Sequence, residues 1–153
     1  MQIRKRTIVY GVILALTLAF IWGNSMLSGE VSGAISHFIA GLFGNDQGGS
    51  DDRHFLIRKA AHFLEFAFLG MIFQLFSREM TNDWMRHALV SALVGVSVPL
   101  VDETIQIFSN RGYALPDVWI DISGYALGCA VTILAFLMLR LAGKRRKRES
   151  YWY

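Results

Sequence analysis

Apolar residues in this chain gather into four blocks, 7–23, 60–76, 88–101 and 118–143, rather than recurring at the spacing of a water-soluble helix or strand. A helix needs about 20 mainly apolar residues to cross a bilayer, with roughly 17 as the lower limit. The first and last blocks satisfy this outright. The second does so with polar groups near its start, and the third once its flanking polar residues are included. None shows the two-residue alternation of a membrane β-barrel. The pattern predicts an all-α membrane protein, a single domain over 1–153 with four transmembrane helices near 7–24, 57–77, 86–108 and 117–141.

The segments between the blocks carry their own patterns. In 29–43, Val31, Ala34, Ile35, Phe38, Ile39, Leu42 and Phe43 recur at three- and four-residue spacing, which predicts a short interfacial helix. A glycine-rich acidic loop, GNDQGGSDD, follows at 44–52. His37 and His54 belong to these pieces and read as solvated residues. The first block has the basic start of a signal peptide but no clean small-x-small cleavage pattern, so an uncleaved first helix is expected.

Charge then orients the spans. Eleven of the 15 Lys and Arg fall before the first block, in the second connection (Arg78, Arg86) or at the end of the chain (Arg140 and 144–148), while nine of the 12 acids fall in the alternate segments. The positive-inside rule places the basic side in the cytoplasm, with both termini. The net charge of +3 is therefore a topology signal, and no nucleic-acid partner is expected. The expected location is the cytoplasmic membrane. The lone cysteine, Cys129, lies inside the fourth block and excludes a disulfide framework.

The candidate chemistry lies at one rim. Arg58, His62, Glu65 and Leu69 share a helical face, with Lys59 beside Arg58. Asp102, Gln106 and Asn110 share another, with Glu103 adjacent, and Pro99 predicts a kink three residues before Asp102. The turn at 109–116 contains Arg111 and Gly112, and Pro116 just ahead of the fourth helix. Asp117, Asp121, Gly124 and Gly128 then continue one face, the two glycines offering a close-packing seam beneath the acids. On the cytoplasmic side His87 reads as a boundary residue.

Arg58-Lys59-x-x-His62-Phe63-x-Glu65, Asp102-Glu103-x-x-Gln106-x-Phe108-x-x-Arg111 and Pro116-Asp117-Val118, followed by Gly124 and Gly128, together resemble the VanZ-like family of bacterial membrane proteins. Arg58, His62, Glu65, Asp102, Glu103, Gln106, Arg111, Asp117, Gly124 and Gly128 stand at family positions. Asp121 stands where the family commonly has asparagine, and Phe66 where it often has tyrosine. The resemblance implies an effect on susceptibility to teicoplanin-type glycopeptide and lipoglycopeptide antibiotics.

Three readings of the cluster stay open. Arg58, Lys59, Gln106, Arg111 and Asp121 could bind a membrane lipid or lipid-linked cell-wall precursor, with His62, Glu65, Asp102, Glu103 and Asp117 as catalytic groups of a hydrolase or transferase. The same residues could bind such a ligand without chemistry. Or they could form an ion-paired plug that fixes helix packing. No cofactor is expected. His62-x-x-Glu65 with acids from two other helices resembles a bundle carboxylate site for a divalent cation, although it reverses the common Glu-x-x-His spacing and basic neighbours oppose a cation. No Ser or Cys sits in a nucleophile elbow, and no internal repeat suggests a transporter. A homo-oligomer is compatible with the sequence.

Overall fold

In the computed structural model, residues 4–27, 31, 34, 51–109 and 115–149 are described, with side chains at 4–27, 31, 34, 56–109 and 115–143. Arg111, His37, Asn110, the 44–50 loop and the proposed interfacial helix, apart from Val31 and Ala34, lie outside the described residues. Four long helices are present: α1 (Lys5–Met26), α2 (Asp51–Met80), α3 (Trp84–Phe108) and α4 (Leu115–Glu149). Each is long and apolar enough to cross a membrane, and no strand occurs among the described residues. This is an all-helical membrane protein.

Helix boundaries depart from the apolar blocks for local reasons. Asp51 and Asp52, expected in a loop, open α2. Pro116 lies inside the first turn of α4 rather than ahead of it. A proline costs little there, because first-turn N–H groups have no intrahelical acceptor. Asp83 caps α3, its carboxylate accepting from the Met85 and Arg86 backbone N–H groups at 3.0 and 3.4 Å. Pro99 is buried within α3, which runs unbroken on both sides of it.

Side-chain contacts fix which helix ends lie together. Arg4 Nη1 is 3.7 Å from Glu79 Oε2, joining the start of α1 to the end of α2. Asn24 and Ser25, at the end of α1, reach Glu65 of α2 and Asp102 of α3. Lys59 of α2 meets Asp117 of α4. One end of the bundle therefore gathers the acids (the acidic end). The other gathers Arg4, Arg78, Arg86 and Arg140 (the basic end).

The central helix is α2, whose span is 50% buried against 11% for α1. Between the two ends lies a core of Ile21, Phe66, Leu69, Phe73, Tyr125 and Cys129, with the Phe73 and Tyr125 rings tilted at 6.2 Å. The expected glycine seam is present, and its partner is α2. A Cβ on Gly124 would strike the Phe63 carbonyl, one on Gly128 the Ala67 carbonyl, and one on Gly70 the Tyr125 carbonyl. The two backbones thus pack directly against each other where only glycine fits.

A polar thread crosses the basic half of the bundle. His87 Nδ1 pairs with Ser77 Oγ at 2.6 Å, and its Nε2 with Gln74 Oε1. The Gln74 amide donates to Ser91 Oγ at 3.1 Å, and Ser91 meets the Tyr125 hydroxyl at 3.1 Å. His87 is thus drawn into the interior, and single polar residues within three apolar runs satisfy one another. Buried polar groups need such partners.

Candidate functional site

At the acidic end, α3 delivers Asp102 and Glu103 into the bundle one turn beyond Pro99, and α4 delivers Asp121 one turn beyond Asp117. Asp102, Glu103 and Asp121 are 0%, 2% and 2% exposed, so three carboxylates are withdrawn from water. Each requires hydrogen bonds, a counter-charge or a shared proton to remain there.

Asp102 is the hub. Its Oδ1 accepts from Ser25 Oγ at 2.6 Å, and its Oδ2 accepts from Gln106 Nε2 at 2.8 Å. His62 Nδ1 of α2 lies 3.9 Å from the same Oδ2, an electrostatic rather than a hydrogen-bonding distance. Three helices therefore converge on one carboxylate. Nearby, Lys59 Nζ and Asp117 Oδ1 form a half-buried ion pair at 2.6 Å, and Asn24 Nδ2 donates to Glu65 Oε1 at 3.1 Å.

Above Asp102 lies a tight cleft of about 10 Å³, room for about one water, lined by Arg58, Lys59, His62, Gln106, Asp117, Ile120 and Asp121. Cations and acids share its wall, which suits a ligand bearing an anion beside hydroxyl or amide groups. Between α1 and α2 runs an open apolar groove of about 520 Å³ formed by Ile13, Leu16, Thr17, Phe20, Ile21, Leu64 and Phe68, with Glu65 within it. His62, Asp102 and Asp121 offer donor atoms that all lie within 4.8 Å of one another, and they form the candidate cation-holding group among the described residues.

Of the ten residues expected to form the site, the structure gathers Arg58, Lys59, His62, Gln106, Asp117 and Asp121 around one cleft. Asp102 lies at its base. Glu65 borders the groove instead, and Glu103 is buried on α3 beside Asp102. Arg111 lies outside the described residues. Sequence reasoning left out α1, because Asn24 and Ser25 stood just past the first apolar block and were weighed only as a cleavage boundary. Their shared polarity at the depth of Glu65 was the available signal. Ser109 and Ser123 donate to the Ile105 and Ile120 carbonyls of their own helices.

Comparison with curated proteins and with solved structures gives no match. The sequence model of the VanZ/LLP1 family does match, over residues 7–139, a stretch that takes in most or all of each span and every acid and base of the cleft. The chain is a membrane protein belonging to the VanZ/LLP1 family.

Proposed function

We propose that the acidic end faces the outside of the bacterial cytoplasmic membrane and binds or modifies a lipid or lipid-linked cell-envelope precursor. Through that ligand it alters susceptibility to teicoplanin-type antibiotics. The observation that carries this reading is the cleft itself, in which Arg58 and Lys59 stand over carboxylates withdrawn from water. Ionisable groups at membrane depth are costly and mark functional sites by default. The groove between α1 and α2 supports a lipid in particular, since its apolar walls suit a hydrocarbon chain and end at Glu65 beside the polar cluster.

In this reading Arg58 and Lys59 hold the anionic group, the ligand competing with Asp117 for Lys59. Gln106 and Asp121 contact the polar part of the head. His62, Glu65 and Glu103 are the candidates for proton transfer. Asp102 keeps both oxygens hydrogen-bonded, so its part is to hold His62 and Gln106 in place. A positioned imidazole beside a bound anion serves a hydrolase or a transferase equally well. The same geometry without a reaction gives a binding protein.

Mass spectrometry separates the alternatives. Purified protein is incubated with lipid extract, and both the lipids it retains and those it leaves behind are identified. A new lipid species supports an enzyme, and an unmodified phosphate-bearing lipid retained by wild type but lost in Arg58→Gln/Lys59→Met supports a binder. If wild type and that variant retain the same lipids and make no product, the reading fails and the buried charges are left as a packing device.

A further inference from the structure

At the basic end the last turns of α2, the start of α3 and the later part of α4 border a second cleft, of about 410 Å³. Arg78 and Arg140 stand on its rim, and Trp84, Ile133, Phe136 and Leu137 form its apolar walls. The Arg78 guanidinium lies 3.7 Å above the Phe136 ring centroid. That stacking fixes the plane of the guanidinium and leaves its N–H edges for an acceptor. Arg140 follows Phe136 by one turn, on the same face of α4.

The local acids do not neutralise these two cations. Glu79 is paired with Arg4, and Asp83, which also borders the cleft, has its carboxylate engaged in capping α3. His87 at the floor spends both ring nitrogens on Ser77 and Gln74. Among the described residues, neither Arg78 nor Arg140 forms an ion pair with a carboxylate. Two guanidiniums with no carboxylate partner among the described residues therefore face a space walled by Trp84, Ile133, Phe136 and Leu137 on one side and by polar groups, Gln74 and His87 among them, on the other.

The apolar walls run outward. Ile133 and Leu137 are 47% and 49% exposed on α4, and Trp84 is exposed at the first residue of α3, where interfacial aromatics collect. We propose that this cleft holds the phosphate of an anionic phospholipid, its acyl chains lying along the Ile133–Leu137 face of α4. Basic pockets between spans recognise such headgroups. A soluble phosphate would make no use of the apolar walls, and a zwitterionic head would bring its own cation against the arginines. The site stands apart from the acidic-end cleft and does not depend on the function proposed for it.

The test titrates purified protein, in an uncharged detergent, with short-chain phosphatidylglycerol, phosphatidylcholine of the same chain length, or inorganic phosphate. The readout is the temperature at which buried Cys129 becomes reactive to a maleimide dye. Phosphatidylglycerol should raise it, while the other two at equal concentration should not. Arg140→Gln, at an exposed position, should weaken the response to phosphatidylglycerol on the order of tenfold. Arg86→Gln removes the same charge from the same end but outside the cleft, and should weaken it less than about threefold. Arg78→Lys keeps the charge yet loses the stacked fork, and should also weaken it. Equal responses to phosphatidylglycerol and phosphatidylcholine would overturn the proposal, as would Arg86→Gln matching Arg140→Gln. An equal response to inorganic phosphate would show a soluble-anion site instead.

Discussion

Gly128→Ala is the change whose sign the fold determines most sharply. In an ordinary helix interior alanine is better than glycine by about 1 kcal/mol. At position 128 the added methyl would lie 2.8 Å from the Ala67 carbonyl carbon and 3.0 Å from the Met71 backbone nitrogen, with the Ala67 oxygen nearer still. Carbon contacts are optimal near ~3.5 Å, so α4 must retreat from α2 by about 0.7 Å or more. The obstacles are backbone atoms, which cannot rotate aside. Overpacking of this kind costs roughly 1–3 kcal/mol, occasionally more. With two main chains in contact the upper part of that range applies, so the propensity gain is outweighed and a net loss of about 2 kcal/mol remains. For a chain of this size that corresponds to a fall of about 5 °C in the melting midpoint.

Cys129 supplies the assay. It is the chain's one cysteine, is 9% exposed, and its Sγ lies 3.7 Å from the Gly70 carbonyl oxygen across the same seam. A maleimide dye added during a slow thermal ramp therefore reports opening between α2 and α4. Gly128→Ala should bring the labelling transition down, while Gly143→Ala, with nothing within 4 Å of the added carbon, should leave it unchanged or raise it. If Gly128→Ala is as stable as wild type, the two backbones do not touch as described. The placement of Asp121, one turn above Gly124, then loses its support.

Further predictions address the acidic end and the topology. Ser25→Ala leaves Asp102 Oδ1 without its 2.6 Å donor and should cost about 1–3 kcal/mol by the same thermal ramp; no change would mean that α1 does not complete the cluster. A double-mutant cycle of Lys59→Met and Asp117→Asn should give a coupling of about 1 kcal/mol, because the pair is only half buried; a coupling indistinguishable from zero would dissolve the pair. Added Mg²⁺, Mn²⁺ or Zn²⁺ should leave the transition unshifted, since Lys59 and Arg58 border the His62, Asp102 and Asp121 donors; a saturable rise lost in Asp121→Asn would instead establish a cation site. In a Cys129→Ser background, an impermeant thiol reagent applied to whole cells should label Gly48→Cys and spare Asn82→Cys. The opposite pattern would invert the proposed orientation.

The spans were legible because membrane helices announce themselves by composition over about 20 residues, and all four runs became helices. The face shared by Arg58 and His62, and the seam at Gly124 and Gly128, were legible because helical period alone places those residues together. Which helix would meet the seam was not, since that depends on packing order, and α2 emerged as the central element. The part played by Asn24 and Ser25 was hidden for the same reason. A terminal Asn-Ser pair means little until another helix brings Glu65 and Asp102 beside it. The thread from Ser77 through His87, Gln74 and Ser91 to Tyr125 was likewise dispersed as single polar residues within apolar runs, each tolerable alone. Local rules misled at two helix starts, where acids and proline read as loop or boundary in fact open α2 and α4.

The most direct test of the central claim is native mass spectrometry of the protein released from its own membrane. Wild type and Arg78→Gln/Arg140→Gln should both retain a phosphate-bearing envelope lipid at the acidic end, and Arg58→Gln/Lys59→Met should lose it from that end while still melting cooperatively. Retention of the same lipid by Arg58→Gln/Lys59→Met made in the Arg78→Gln/Arg140→Gln background would contradict the account.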